Sequence, residues 1–295
     1  MLFALSLVLA AAPEPYAIVL GVAQDAGVPQ AGTPPGPAWT PERRRLPTCL
    51  GLVEPSTGRR WLFEATPALP EQLADLDAAA PPRGPAPDLA GIFLTHGHMG
   101  HYTGLLHFGH EAMGAPKVLV YGMPRMRALL RDNEPWALLL RLGHVRLEGV
   151  EDGIRLGPEL KVEAFLVPHR DELTETVGYV VTGPRRKLAF VPDIDKWRRW
   201  GPDRLRKLVQ RVDRAYVDGT FYADGEIPGR AMADIPHPFM QETLQTMSKW
   251  KTEEREKVRF IHLNRTNPAL WPGPAREKIE AAGARVAERG ERFAL

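Results

Sequence analysis

The segment Leu94-Thr95-His96-Gly97-His98-Met99-Gly100-His101-Tyr102-Thr103-Gly104 places three of the chain's nine histidines within six positions. An apolar run, Gly91-Ile92-Phe93-Leu94, leads into it and predicts a buried strand. Leu105-Leu106-His107-Phe108, beyond the glycine-rich turn, predicts the start of a helix. On an extended backbone His96 and His98 project to the same side, because side chains alternate with a period of two. Three residues on, in a turn or a first helical turn, His101 returns to that side. Three imidazoles therefore converge at a strand end. Neutral imidazole is a common metal ligand, and packing alone does not call for such a triplet.

The composition narrows the surroundings of this cluster. With 295 residues, 44% hydrophobic and 25% charged, the chain is long enough for one large α/β domain or two small ones. A net charge of +2 gives no bulk electrostatic reason to bind nucleic acid. One cysteine, Cys49, excludes an internal disulfide framework and a cysteine-based zinc site. Residues 1–12 are apolar and end in small residues, so they predict a signal peptide and a periplasmic or secreted protein; without cleavage the protein would be cytoplasmic. This stretch is too short to span a membrane as a helix, and no cysteine follows it to carry a lipid anchor.

Further strands also end in polar residues. Residues 16–21 predict a first strand, followed by a glycine-punctuated turn that carries Asp25. Asp25 fits either simple turn chemistry or a place beside a site. The loop 28–47 is long, proline-rich and basic at Arg43-Arg44-Arg45. Residues 48–54 and 60–64 predict a hairpin, 67–78 a helix, 117–121 a strand and 124–131 a short helix. A strand over 160–167 ends in Pro168-His169-Arg170. A hairpin over 176–182 and 187–191 ends in Pro192-Asp193-Ile194-Asp195. After a helix over 202–212, strand 215–217 runs into Asp218-Gly219-Thr220. A long loop then carries Pro236-His237-Pro238, and a helix is predicted over 239–250. Strand 258–261 ends in His262-Leu263-Asn264-Arg265. A helix over 275–282 and a strand near 284–286 follow. His107, His110 and His144 have no supporting context and read as structural or exposed. The repeated order of strands and hairpins, then helix, gives an α/β chain with mixed sheets.

Thr-His-x-His-x-x-His after a strand resembles the metallo-β-lactamase superfamily, whose signature is His-x-His-x-Asp-His. The likeness extends from Gly21 to the C-terminus. It implies an αββα four-layer sandwich over residues 16–295, with two packed mixed β-sheets and outer helices. It also implies that His96, His98 and His169 hold one metal, that Asp193 bridges, and that His101 and His262 complete a second site. Gly100 stands where the superfamily carries an aspartate. That omission implies one tight metal and a weaker second, or a replacement carboxylate from Asp25 or Asp195. His237 falls where related phosphodiesterases carry a proton-donating histidine, and Asp218 would orient it or a metal-ligand imidazole. Arg170 and Arg265 would bind a substrate carboxylate or phosphate, or form structural ion pairs with Asp171 or Glu172.

Gly27-Val28-Pro29-Gln30, Asp218-Gly219-Thr220 and Phe260-Ile261-His262-Leu263-Asn264-Arg265-Thr266-Asn267-Pro268 resemble the coenzyme PQQ synthesis protein B branch of that superfamily. The cysteine-rich loop of that branch is absent from residues 31–40, and the three histidines that are degenerate there are intact here. The resemblance leaves three readings of the site, each acting on or carrying a small molecule or metal. The first is a zinc-dependent hydrolase that cuts an ester or phosphodiester by metal-hydroxide attack. The second is an iron-dependent oxidative step in PQQ biosynthesis. The third is a metal-binding protein without catalysis.

Overall fold

The computed structural model describes residues 14–229, 231–232 and 235–295. The predicted signal peptide, residues 1–12, lies outside the described residues. The strands are β1 (Tyr16–Gly21), β2 (Cys49–Glu54), β3 (Arg59–Phe63), β4 (Gly91–Phe93), β5 (Val118–Gly122), β6 (Val145–Gly149), β7 (Ile154–Arg155), β8 (Lys161–Leu166), β9 (Val177–Thr182), β10 (Lys187–Val191), β11 (Arg214–Asp218), β12 (Val258–Ile261), β13 (Arg285–Val286) and β14 (Arg292–Ala294). The helices are α1 (Leu69–Ala79), α2 (Met99–Tyr102), α3 (Pro124–Asp132), α4 (Trp136–Arg141), α5 (Trp197–Trp200), α6 (Arg204–Arg211), α7 (Met240–Met247), α8 (Thr252–Arg255) and α9 (Pro274–Ala281).

Two seven-stranded sheets form, ordered β14-β1-β2-β3-β4-β5-β6 and β13-β12-β11-β10-β9-β8-β7. In the first, β14 through β3 pair antiparallel and β3 through β6 parallel. The second repeats this pattern, antiparallel from β7 to β10 and parallel from β10 to β13. The parallel neighbours are joined by crossovers through helices, as parallel pairing requires, whereas short turns join the antiparallel pairs β2–β3 and β9–β10. The turn from β2 to β3 uses Gly58 at φ 75°, a left-handed conformation that glycine adopts without steric cost. The predicted repeat of hairpin and crossover is therefore the sheet topology itself.

Alternating side chains sort the core into layers. Trp61 and Phe63 of β3 and Phe93 of β4 face Tyr179, Phe190 and Tyr216 across the gap between the sheets. Leu62 and Ile92, one residue out of step, face outward onto Leu69 and Leu76 of α1 and Met126 of α3. On the far side, Ala189, Val217 and Phe260 pack against Leu205 and Leu208 of α6, Met240 of α7 and Ile279 of α9. Helix, sheet, sheet and helix make the four-layer sandwich that the superfamily resemblance implies. The helix predicted to begin at Leu105 is instead a 3-10 segment, Thr103–Phe108, that follows the single turn α2. Among the described residues, no helix is long and apolar enough to cross a membrane.

The aromatic layer reaches up to the histidine segment. Phe93 stacks between Phe63 (centroids 5.0 Å apart) and Tyr121 (4.5 Å), and Tyr179 meets it edge-on at 5.7 Å. The Tyr179 hydroxyl donates to the Leu94 carbonyl, two residues before His96. Truncating Phe93 removes the centre of this stack. Phe93→Ala should lower unfolding stability by about 3–5 kcal/mol, read as a fall in the urea midpoint.

Candidate metal centre

Apart from His237, which lies in the loop before α7, the polar residues that form the site sit at or just beyond the carboxyl end of a strand. Asp25 follows β1, His96, His98 and His101 follow β4, and His169 follows β8. Asp193 follows β10, Asp218 ends β11 and His262 follows β12. Strands running the same way in both sheets thus deliver their terminal side chains to one rim, where open α/β sheets generally bind ligands. The side chains meet although they are up to 237 positions apart in the chain.

They form three groups whose ligand atoms lie within 4.8 Å of one another. The first is His96, His98, His169 and Asp193, the second Asp25, His101 and His262, and the third Asp193, Asp218 and His237. His96 Nε2 and His98 Nδ1 are 2.8 Å apart. Asp193 Oδ2 is 3.2 Å from His169 Nε2, 3.4 Å from His96 Nε2, 3.7 Å from His101 Nε2 and 4.0 Å from His262 Nε2. The carboxylate of Asp193 therefore belongs to both of the first two groups.

These close approaches include buried atoms that make no aligned hydrogen bond. His101 Nε2, His169 Nε2, His262 Nε2, Asp25 Oδ1 and Asp193 Oδ1 are all buried and unpaired. A buried polar atom without a partner is costly, and native proteins leave few of them. Lone pairs that approach one another without pointing at one another fit a shared cation between them. With metal–ligand bonds of about 2.0–2.2 Å, donors on one ion sit no more than about 4 Å apart, close to the spacing seen here. The residues present therefore suit a divalent metal bound by imidazole and carboxylate.

The far nitrogens of the rings are held from behind. His96 Nδ1 donates to the Thr95 hydroxyl (2.9 Å), which donates to Glu64, so Nε2 keeps its lone pair. His101 Nδ1 lies 3.3 Å from Glu64, and His169 Nδ1 lies 3.3 Å from Asp195. His262 Nδ1 donates to the Thr220 hydroxyl at 3.0 Å. His237 Nδ1 donates to Asp218 at 2.8 Å and lies 3.1 Å from Asp193 Oδ1. Such partners fix the tautomer and orientation of ligand rings. Glu64 is fully buried at the end of β3, and the sequence analysis did not single it out. Its signal in the sequence is a glutamate closing the apolar run Trp61-Leu62-Phe63.

One expectation needs correction. Asp195, one of two candidates for the missing carboxylate, is engaged by His169 and Arg199 rather than by His101 or His262. Glu172, one of two carboxylates offered as an ion-pair partner for Arg170 or Arg265, lies 3.3 Å from His98 Nε2. Arg170 and Arg265 are exposed. Arg265 lines a cavity of about 320 Å³ with Arg43 and Trp271. Of the histidines read as structural, His144 is buried and bonds the Ala115 carbonyl at 2.8 Å.

Charge is divided unevenly among the rings. Burial, reinforced by His101, holds His96 well below the usual histidine range, and burial lowers His98. His169 is pushed up to about 10: burial opposes its charged form, but Asp193 and Asp195 outweigh that. His101 is raised against the same burial penalty by Glu64 and Asp25. Burial would raise Asp193, but His169, His237 and His262 hold it well below the carboxylate range.

Fold and rim together define a protein of the metallo-β-lactamase fold. The chain belongs to the family described as the beta-lactamase superfamily domain, whose profile matches residues 59–263. It is similar to coenzyme PQQ synthesis protein B of Methylobacterium radiotolerans, at 28% identity over 94% of this chain and 99% of the relative. The same protein of Gluconobacter oxydans is 28% identical over 94% of this chain and 98% of its own length. Among solved structures, Zn(2+)-bound PqqB from Methylobacterium extorquens superposes with a TM-score of 0.75 at 22% identity, covering 95% of this chain and 100% of that one. A diphosphatase of the PhnP family superposes with a TM-score of 0.64 at 19% identity, covering 96% and 98%.

Two measurements probe the centre. Metal must displace the protons held by His169 and His101, so Zn2+ uptake should release protons and weaken as pH falls, by about tenfold per displaced proton per pH unit. Calorimetric titration in buffers of different ionisation enthalpy reads this; identical heats in every buffer would contradict it. Glu64→Gln keeps the shape but removes the charge behind His101 and Thr95. It should weaken metal binding by about 10–100-fold while the protein stays folded.

Proposed function

We propose that the protein is a metal-dependent enzyme of the PQQ synthesis protein B kind, performing an oxidative step on a small quinone precursor with iron as its metal. The extent of the likeness carries this reading: relatives bearing that name match 94% of the chain. His96, His98, His169 and Asp193 would hold the metal. A set of imidazoles with one carboxylate suits iron as well as zinc. When bound, iron supplies Lewis acidity and a redox couple.

The chain's own residues supply position and proton handling. Asp193 is 3% exposed and Asp218 fully buried, so water is largely excluded from the charges that orient the rings. His237 Nδ1 is committed to Asp218, which leaves Nε2 to exchange a proton with substrate. Arg170 and Arg265, exposed and next in sequence to His169 or close after His262, are suited to a substrate carboxylate. The apolar residues 1–12 support action outside the cytoplasm.

A second reading, zinc-dependent hydrolysis of an ester or phosphodiester, is favoured by one observation. The buried His237–Asp218 pair beside Asp193 is what a general acid for a leaving oxygen needs.

Elemental analysis of protein purified without added metal, paired with an oxygen electrode and a bis(p-nitrophenyl) phosphate assay, separates the readings. Iron with substrate-dependent oxygen uptake is the expected result. Zinc with phosphodiester cleavage, falling about 10²–10⁴-fold in His237→Ala, would replace it with the hydrolytic reading. His98→Ala should lose the metal in either case. A wild-type protein that binds no metal would overturn both.

A further inference from the structure

The second group contains a carboxylate that enters from a distant part of the chain. Asp25 Oδ1 is 3.2 Å from His101 Nε2 and 3.7 Å from His262 Nε2. His101 is 1% exposed and His262 fully buried, and the nitrogens they turn toward Asp25 make no hydrogen bond. Asp193 Oδ2 closes the fourth side, 3.7 Å and 4.0 Å from the same two nitrogens. We propose that Asp25 is the anionic ligand of a second divalent-cation site, completed by His101, His262 and the shared Asp193, and that Gly100 is the residue that admits it. This rests on the reading of the first group as a metal centre.

The argument for Gly100 is steric. A Cβ at position 100 would lie 2.4 Å from Asp25 Cα, 2.4 Å from Asp25 Oδ1 and 2.6 Å from Asp25 Cβ. Real Cβ atoms do not approach other atoms so closely, and here one of those atoms is backbone. A side chain at position 100 and the present placement of Asp25 are therefore mutually exclusive. The superfamily signature puts a carboxylate at this point of the histidine motif. This chain leaves the point bare, and the space is filled by a carboxylate from the turn after β1.

That turn is fixed to the element carrying its partner ligand. Gln24 N donates to the Leu263 carbonyl and Leu263 N to the Val22 carbonyl, both at 2.8 Å, and the Asn264 side chain donates to Gln24. Asp25 and His262 thus flank one backbone clamp. Each holds a positive φ, 27° and 67°, which side-chain-bearing residues seldom adopt outside constrained sites. Two imidazoles, one carboxylate and a shared carboxylate suit a borderline divalent ion such as Zn2+, Fe2+ or Mn2+.

The full chain, stripped with chelator and reconstituted with Zn2+ alone, tests the assignment through metal stoichiometry and thermal melting. Wild-type protein should hold about two ions per chain, as in two-metal sites. D25N, nearly the same in shape, should melt within a few degrees of wild type when metal-free and hold about one. G100A removes no ligand atom, yet should also hold about one because its methyl displaces Asp25 and the turn that carries it. Two ions retained by D25N would overturn the proposal while leaving the first centre standing. One ion in both wild type and D25N would do the same. No ion in wild type would remove the first centre as well, and the proposal with it.

Discussion

The buried carboxylate of Asp193 is the charge around which the site closes. Isolated at 3% exposure, an ionised aspartate would be penalised by several kcal/mol for leaving water. Four imidazoles approach one of its oxygens and His237 the other, which is why its proton is held so weakly. Attraction among these groups offsets only part of the penalty, because rings without aligned hydrogen bonds leave their own donors and acceptors unsatisfied. A cation in each of the first two groups, both next to Asp193, would satisfy the ring nitrogens that face it. The arrangement is thus unfavourable for a bare protein and favourable for a metalloprotein.

Keeping it in place requires rigidity, which comes from two sources. Beneath it lies the stack of Phe63, Phe93, Tyr121 and Tyr179, which fixes the ends of β3 and β4. At the rim the backbone is bent into uncommon conformations. Among the described residues five non-glycines have positive φ, and three of them, Asp25, Glu64 and His262, are in or directly behind the ligand groups. Each costs on the order of 1–3 kcal/mol, a cost that only well-anchored surroundings can sustain. Glu64 shows how this works: its turned backbone lets one carboxylate reach Thr95 behind His96 and the far nitrogen of His101.

Much of the architecture was legible because buried strands announce themselves. The limits predicted for strands 16–21, 187–191 and 258–261 coincide with β1, β10 and β12, each built mainly of apolar residues. Edge elements were legible only in part: the strand expected near 284–286 is β13, at one edge of the second sheet, but β6 and β14 gave no such signal. β6 alternates Arg146 and Glu148 with apolar residues and is only half-buried, and β14 has three residues that count as a strand only through pairing with β1. The site divided in the same way. The histidines and Asp193 stood out by type and position, whereas Glu64, Thr95 and Thr220 carry side chains common in ordinary turns and strands. Asp25 was visible as a carboxylate in a turn, but its partners are 76 and 237 positions away. Only the folded clamp at Leu263 brings it beside them.

That clamp has a consequence for how the protein comes into being. β1 lies between β2 and β14, so the first described strand is secured on one side by nearly the last residues of the chain. Asp25 hangs from that strand, and His262 arrives with β12. A chain still emerging from the ribosome, or still threading through a translocon, holds the histidine triplet long before it holds the residues that surround it. Such a chain presents a loose trio of imidazoles rather than a closed pocket.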